Sequence, residues 1–206
     1  QLQDDIFETQ GTLDSVNADG FKVLNMLNTK WVIMPGQEGT IPVENPYAMG
    51  NAWFVDEIKF VDNADDEIDA LFDIDLHKQA VADKQFEKVM TDFVVTPKDS
   101  TAHIELVSYD SNILTYKSNS SKPELAVFSE VYYPKGWQIT IDGEPAEMLR
   151  VNYTLRALPI PAGNHTIEFK FEPRSIKVTD SIAYVSMLLM LLTAGWLIFR
   201  RAKEKK

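Results

Sequence analysis

The stretch WQITIDGEP, residues 137–145, decides the fold class of the strand-rich half of the chain. Side chains of a β-strand point to opposite faces at every second residue, so the three apolar residues from Trp137 to Ile141 share one face. We expect that face to be buried. Asp142-Gly143 tolerates the positive φ angles of a type I′ turn, whose twist matches that of antiparallel neighbours. The stretch therefore predicts a β-hairpin.

Further short apolar runs surround this hairpin between residues 102 and 171, separated by stretches rich in Asp, Asn, Ser, Pro and Gly. Leu125–Val131 is apolar on both faces, as expected of a central strand. Ile167–Phe171 alternates apolar with charged residues, as expected of a strand with one face exposed to solvent. The spacing predicts an antiparallel β-sandwich of jelly-roll or Ig-like type over residues 99–175.

Residues 1–98 predict an α+β subdomain, joined to the sandwich by a hinge at residues 96–101. A helix is indicated after Asn63, a candidate N-cap followed by acidic residues that favour the positive end of the helix dipole. Its apolar stripe is predicted to be Ile68, Leu71 and Phe72. The other elements expected here are a short helix at 21–27 and strands at 31–34, within 51–61, and at 78–82.

The segment Ile182–Phe199 carries no charge and contains only two hydroxyl residues, Ser186 and Thr193. At about 1.5 Å per residue, 18 residues extend about 27 Å, which is close to the thickness of the bilayer hydrocarbon. A buried helix of a soluble protein usually has a more polar face. We therefore predict one transmembrane helix over residues 176–200.

Basic residues dominate the tail at 201–206, whereas the whole chain has a net charge of −11. Positively charged flanks of membrane spans remain in the cytoplasm. Residues 1–180 are therefore predicted to be extracytoplasmic and the tail cytoplasmic. The acidic bulk would be repelled by phosphate, which argues against a nucleic-acid partner.

No catalytic signature is found in the sequence. The chain has no cysteine, and its three histidines lie far apart, so a zinc site is not expected. The acidic stretch after Asp62 lacks the central glycine of a calcium loop. Asp142 is explained by its place in the turn. We predict no catalytic residue, no metal and no cofactor in this chain.

Four stretches together carry a family resemblance: LNMLNTKWVI (24–33), VENPYAMGNAWFVDEI (43–58), the run from FSEVYYPKGWQ to EFKFEP (128–173), and the final span. In this order they resemble the C-terminal region of YfhO-type bacterial membrane proteins, over nearly the whole chain. Trp31 replaces a usual Tyr, Lys135 is an insertion, and Phe171 stands where Tyr is common. These departures lie at expected packing positions and leave the fold expectation unchanged.

The resemblance implies a longer, polytopic protein with many spans before Gln1. Such proteins resemble integral-membrane glycosyltransferases that move sugars from lipid-phosphate donors to cell-envelope polymers. The acidic catalytic residue would lie upstream, so this chain is expected to cover the site or select the acceptor rather than to catalyse. The implied partners are the lipid bilayer, the upstream transmembrane region, and a lipid-linked sugar or envelope glycan.

Aromatic faces and side-chain amides suit sugar rings and hydroxyls, and each such residue has packing as its alternative role. The candidate glycan-binding residues are Asn51, Trp53, Tyr132, Tyr133, Trp137 and Asn152. An alternative function is a non-enzymatic, membrane-anchored β-sandwich that binds glycans or proteins during envelope assembly. The length of the native reading frame distinguishes a many-spanning parent from a single-span protein.

Overall fold

The computed structural model describes residues 21–36 and 39–204. The predictions for residues 1–20 and for the last two residues of the basic tail lie outside this range. The described chain is mostly antiparallel β-sheet with one apolar helix at its C-terminal end, as predicted.

Thirteen strands are present in the described chain. They are β1 Trp31–Gly36, β2 Gly39–Glu44, β3 Ala52–Val55, β4 Glu57–Val61, β5 Gln79–Asp83, β6 His103–Tyr109, β7 Ile113–Ser120, β8 Glu124–Val131, β9 Trp137–Ile141, β10 Glu144–Pro145, β11 Leu149–Val151, β12 Leu155–Ile160 and β13 Gly163–Phe171. The helices are α1 Lys22–Met26, α2 Ala64–Asp73, a 3-10 helix at Lys84–Met90, and α3 Arg174–Glu204.

Two antiparallel sheets form the centre of the fold, with strand orders β10-β9-β13-β7-β6 and β11-β12-β8-β3. One core of apolar side chains contains residues from both sheets. At its centre Tyr116, Phe128 and Phe169 meet edge to face, with ring centroids 4.8–5.9 Å apart. This arrangement is consistent with the expected β-sandwich, and its classification as a sandwich of jelly-roll or Ig-like type stays a prediction.

The other face of the four-stranded sheet is covered by a back layer. It consists of the parallel pair β4–β5, helix α2 and the 3-10 helix, and it encloses a second apolar core. Strand β8 lies between β12 and β3 and is buried on both faces from Glu124 to Phe128. The prediction of a central strand here is confirmed.

Strand β3 comes from the N-terminal half but pairs with β8 through Ala52↔Phe128 and Val55↔Leu125. The residues before the expected hinge therefore contribute an edge strand to the four-stranded sheet. The N-terminal and strand-rich halves share both this sheet and its core.

The predicted hairpin is confirmed at Asp142-Gly143, whose φ angles of 53° and 87° are those of a type I′ turn. Ile139 is buried and the rest of the apolar face packs on the same core. The returning strand β10 has only two residues. Pro145 cannot donate a backbone hydrogen bond, which limits the ladder.

Helix α2 begins as predicted, because the side chain of Asn63 accepts hydrogen bonds from the backbone N–H groups of Asp65 and Asp66. The predicted apolar stripe is wrong at Phe72, whose side chain is 62% exposed. Glu67 is fully buried instead. Its carboxylate accepts hydrogen bonds from the side chain of Arg150 and from the backbone N–H of Tyr153, and these partners explain its burial.

Helix α3 leaves the sandwich directly after β13, the central strand of the five-stranded sheet. Its part from Val178 to Glu204 is long and apolar enough to cross a membrane, and the most apolar 18-residue stretch in it has a mean hydropathy of 2.1. None of its most apolar stretch packs against the domain. We call the end of the sandwich where β13 passes into α3 the helix-proximal end.

Candidate functional site

A cleft of about 700 Å³ lies at the helix-proximal end. One wall is the loop that leads into β9, and the other is the connection from β13 into the first turn of α3. The side chains on which the site's chemistry depends are those of Tyr133, Lys135, Trp137, Gln138, Phe171 and Glu172.

Gly136 sets the shape of the loop wall. Its φ of 99° lies in a region that glycine adopts readily. Its carbonyl accepts a hydrogen bond from the N–H of Glu172 at 2.7 Å, and an added Cβ would lie 2.8 Å from the Cβ of Pro173. A glycine at position 136 therefore allows the loop before β9 to lie close to Glu172 and Pro173, and this contact brings the two walls of the cleft together.

Trp137 is held from two sides. Its ring centroid lies 5.2 Å from that of Phe171, and the guanidinium carbon of Arg156 lies 4.2 Å from the centroid of the Trp137 ring. Both contacts fix the indole at the floor of the cleft. The indole is half-buried and keeps part of its surface toward solvent.

Arg156 is 3% exposed, although it carries a charge. Its Nε donates to the carbonyl of Val131 at 2.8 Å, while Nη1 is buried with no hydrogen-bond partner among the described residues. Burial lowers the pKa of Arg156, and the nearby carboxylate of Glu130 opposes that change. Sequence analysis missed this residue, and the available signal was a lone cation inside the apolar strand LRALPI.

Tyr133 is 49% exposed beside Trp137, so the structure brings two of the six predicted glycan-binding residues together in the cleft. Aromatic rings offer flat apolar faces with polar edges. The amide of Gln138 and the charges of Lys135 and Glu172 supply hydrogen-bonding groups around them. The cleft can therefore pack against a ring and bind its polar substituents.

Trp53 and Asn152 lie on the back-layer side of the four-stranded sheet, and Tyr132 packs against the core between the two main sheets while its ring reaches the back layer. Trp53 is buried and its Nε1 donates to the carbonyl of Leu76 at 2.9 Å. Asn152 is fully buried, and its Oδ1 accepts from the N–H of Val81 at 3.0 Å. The ring of Tyr132 meets that of Phe86 edge to face at 5.5 Å. These contacts attach the back layer to the sheet.

Asn51 is the remaining candidate and is exposed. Its Oδ1 accepts a hydrogen bond from Nδ2 of Asn28 at 2.9 Å, and its carbonyl accepts from the N–H of Ser129 at 3.0 Å. It lies just before β3 and outside the cleft lining.

A second polar group lies at the opposite end of the sandwich. Nδ1 of His165 lies 2.6 Å from Oδ2 of Asp142, and Oδ1 of Asp142 accepts from the N–H of Thr166 at 2.8 Å. Nε2 of His165 lies 3.2 Å from the carbonyl of Ala162. Because both ring nitrogens face acceptors, neither is left to take a proton from a nucleophile, and the pair acts as a clamp on the hairpin.

The clamp changes both ionisation equilibria. The hydrogen bond to Asp142 raises the pKa of His165 above its usual value. The N–H of Thr166 and then the imidazole lower the pKa of Asp142. Within residues 21–36 and 39–204, no group of three His, Cys, Asp or Glu residues is placed to hold a metal ion.

Comparison with known families gives a match to the model described as "Bacterial membrane protein YfhO" over residues 76–183, just over half of the chain. The chain belongs to the YfhO family. The match includes the end of the back layer, the strand-rich half and the beginning of α3. Membership in this family and the apolar helix α3 together associate the chain with a membrane.

A curated YfhO relative, "Uncharacterized protein YfhO" of Bacillus subtilis (strain 168), is 25% identical over 92 residues. The aligned part is 45% of this chain and 11% of that relative, so this chain corresponds to a small part of the relative's length. No solved structure matches the chain.

Proposed function

We propose that this part of the YfhO protein is an extracytoplasmic domain of a membrane glycosyltransferase, placed over the bilayer face where a lipid-linked sugar is presented. It covers that site or selects the acceptor, and the rest of the protein catalyses the glycosyl transfer. The basic tail after α3 supports this orientation, since positive flanks stay in the cytoplasm.

The observation that carries the proposal is the position of the cleft. Ser175 and Ile176 of the first turn of α3 contribute to its lining. Ile176 precedes the uncharged run at Ile182 by about 9 Å of helix at 1.5 Å per residue. With α3 across the bilayer, this spacing would put the cleft at the height of the lipid headgroups, where the phosphate and first sugar of a lipid-linked donor would be found.

The side chains in the cleft match such a ligand. Tyr133 and Trp137 offer ring faces for the sugar, and Gln138 offers an amide for its hydroxyls. The ammonium of Lys135 would pair with phosphate. In this proposal, Tyr133 and Trp137 contact the sugar, and Lys135 of the same cleft contacts the phosphate.

The test is Tyr133→Ala in the full-length protein, with Phe72→Ala as the matched control. Both remove an exposed aromatic side chain, but Phe72 lies on α2 outside the cleft. We expect Tyr133→Ala to reduce the sugar content of the envelope polymer and to leave thermal unfolding of the chain unchanged, because surface substitutions cost little stability. Equal glycosylation in the two variants would reject the proposal.

A non-enzymatic glycan-binding function is the second candidate, because the aromatic rings and the amide in the cleft suit a glycan without any catalytic group. Calorimetric titration of the 206-residue chain in detergent micelles separates the two. Tight binding of a free envelope glycan favours the binding protein. Binding that requires a lipid-phosphate-linked hexose favours the glycosyltransferase domain.

A further inference from the structure

The hairpin β1–β2 stands apart from the two main sheets. Its strands pair only with each other, from Trp31↔Glu44 to Gly36↔Gly39. Trp31 and Ile33 share one face of the hairpin and are 59% and 73% exposed. Ile41, which pairs with Met34, lies on the other face and is 53% exposed. Glu44, at the base, is the one charged residue in the two strands.

Within the described part of the chain, the hairpin pairs with no third strand. Two-stranded hairpins are marginally stable in water without an apolar face packed on something else. Contiguous exposed apolar surface marks a contact with another molecule or with a membrane.

The base of the hairpin is firmly attached. The N–H of Asn45 donates to the carbonyl of Lys30 at 2.8 Å. Nδ2 of Asn45 donates to Oδ1 of Asn25 in α1 at 2.9 Å and to the carbonyl of Thr29 at 2.8 Å. The chain therefore enters and leaves the hairpin at one fixed point beside α1.

That fixed point lies at the helix-proximal end. Strand β8 runs toward this end, because the loop after Val131 leads to Trp137, which pairs with Phe171 at the end of β13. Near the end of β8, Oγ of Ser129 hydrogen-bonds to the carbonyls of Met26 and Gly50, at 2.8 and 2.6 Å. These two carbonyls lie on the segments before and after the hairpin.

We propose that the β1–β2 hairpin lies on the bilayer surface, with the face that carries Trp31 and Ile33 at the boundary between headgroups and acyl chains. It would be a second membrane contact beside α3. The inference requires only that α3 spans the bilayer, and it does not depend on sugar binding.

Lipid suits this surface for three reasons. The hairpin base is at the end of the domain from which the membrane helix starts, so the surface is continuous with an existing membrane attachment. Tryptophan is enriched at membrane interfaces, because its apolar ring can contact the acyl chains while its N–H group stays hydrogen-bonded at the headgroup level. An open hairpin has unpaired backbone groups on its outer edges, which the interface can hydrate and the hydrocarbon centre cannot.

Site-specific labelling tests the proposal, and the absence of native cysteine makes it direct. Ile33→Cys carries the environment-sensitive dye NBD. The matched control is Ala162→Cys, an exposed position in the turn between β12 and β13 at the opposite end of the sandwich. Each 206-residue chain is placed, one per disc, in phosphatidylcholine–phosphatidylglycerol nanodiscs with or without nitroxide-labelled lipid.

We expect the label at residue 33 to shift to shorter emission wavelengths and to lose intensity when nitroxide lipid is present. The label at residue 162 should show neither change. Pro42→Cys, which is exposed and lies opposite Ile33 on the same face of the hairpin, should behave like Ile33→Cys, and circular dichroism checks that each variant is folded. Equal quenching at residues 33 and 162 would overturn the proposal. A wavelength shift without lipid quenching would also overturn it, because the hairpin would then be covered by protein.

Discussion

The guanidinium of Arg156 is stacked over the ring of Trp137 at 4.2 Å and lies almost entirely beneath the protein surface. A buried cation over an indole contributes about 2 kcal/mol or more when it is desolvated. The same guanidinium also donates to the carbonyl of Val131. Arg156 therefore connects Trp137 of the five-stranded sheet with Val131 of the four-stranded sheet.

Replacing Arg156 with Ala should lower the free energy of unfolding by about 2–4 kcal/mol, because the stacking contact is lost and the carbonyl of Val131 loses its donor. Arg156→Lys should recover little, since an ammonium lacks the planar fork that stacks and donates at once. Urea unfolding in detergent micelles measures both. Lys135→Ala, an exposed change in the same cleft, should stay within about 0.5 kcal/mol, and a comparable loss there would contradict this account.

Gly136→Ala should destabilise the chain by more than Gly50→Ala. Both glycines have positive φ, 99° and 83°, so both variants bear backbone strain of about 1 kcal/mol or more. Only at Gly136 does the new Cβ also meet the Cβ of Pro173, at 2.8 Å, whereas at Gly50 nothing lies within 4 Å. Thermal unfolding of the two variants compares the cost of backbone strain alone, at position 50, with the cost of backbone strain and a steric clash, at position 136. Equal losses would show that the cleft walls move apart freely.

The Asp142–His165 clamp should make stability depend on pH at both extremes. The pKa of His165 is raised by Asp142, so its contribution is complete below the unfolded pKa of about 6.5 and is lost as pH rises through the raised value. The pKa of Asp142 is lowered, so its contribution is lost as pH falls through the depressed value. The stability difference between the native chain and His165→Gln should therefore shrink as the pH rises from about 6.5 through the raised pKa of His165. A constant difference over that range would exclude an ionic clamp.

Glu67→Ala should cost about 3 kcal/mol, because it leaves the cation of Arg150 and the N–H of Tyr153 without their buried acceptor. Burial raises the pKa of Glu67, although the Tyr153 N–H and Arg150 oppose the rise. The ionised form is thus partly penalised, and Glu67→Gln, which keeps an acceptor, should cost less. Asp69→Ala on the exposed side of α2 is the control. An equal effect of the Ala and Gln variants would show that charge, rather than hydrogen bonding, holds the helix.

Local patterns predicted much of the fold, because strand alternation and turn chemistry are encoded over a few residues. The hairpin at Asp142-Gly143, the central strand β8 and the N-cap Asn63 followed from such patterns. The stripe on α2 was mispredicted since Glu67 is buried by partners far away in sequence, Arg150 and Tyr153.

The candidate site was predicted less well, because an aromatic residue suited to a sugar is equally suited to a core. Tyr133 and Trp137 line the cleft, whereas Trp53 is enclosed against Leu76. No spacing rule separates these cases, since the difference depends on which strands become neighbours. The pairing of β3 with β8 across the chain is likewise invisible to local periodicity.

The strand that leads into the membrane helix is hydrogen-bonded on both sides, to β7 and to β9. A pull on the anchor would therefore load two ladders in shear, with many bonds sharing the tension, instead of peeling them apart one by one. During synthesis, moreover, the five-stranded sheet cannot be completed until β13, the last of its strands in the sequence, has been made. The domain thus gains its final shape only when the strand next to its membrane helix has been inserted between β7 and β9.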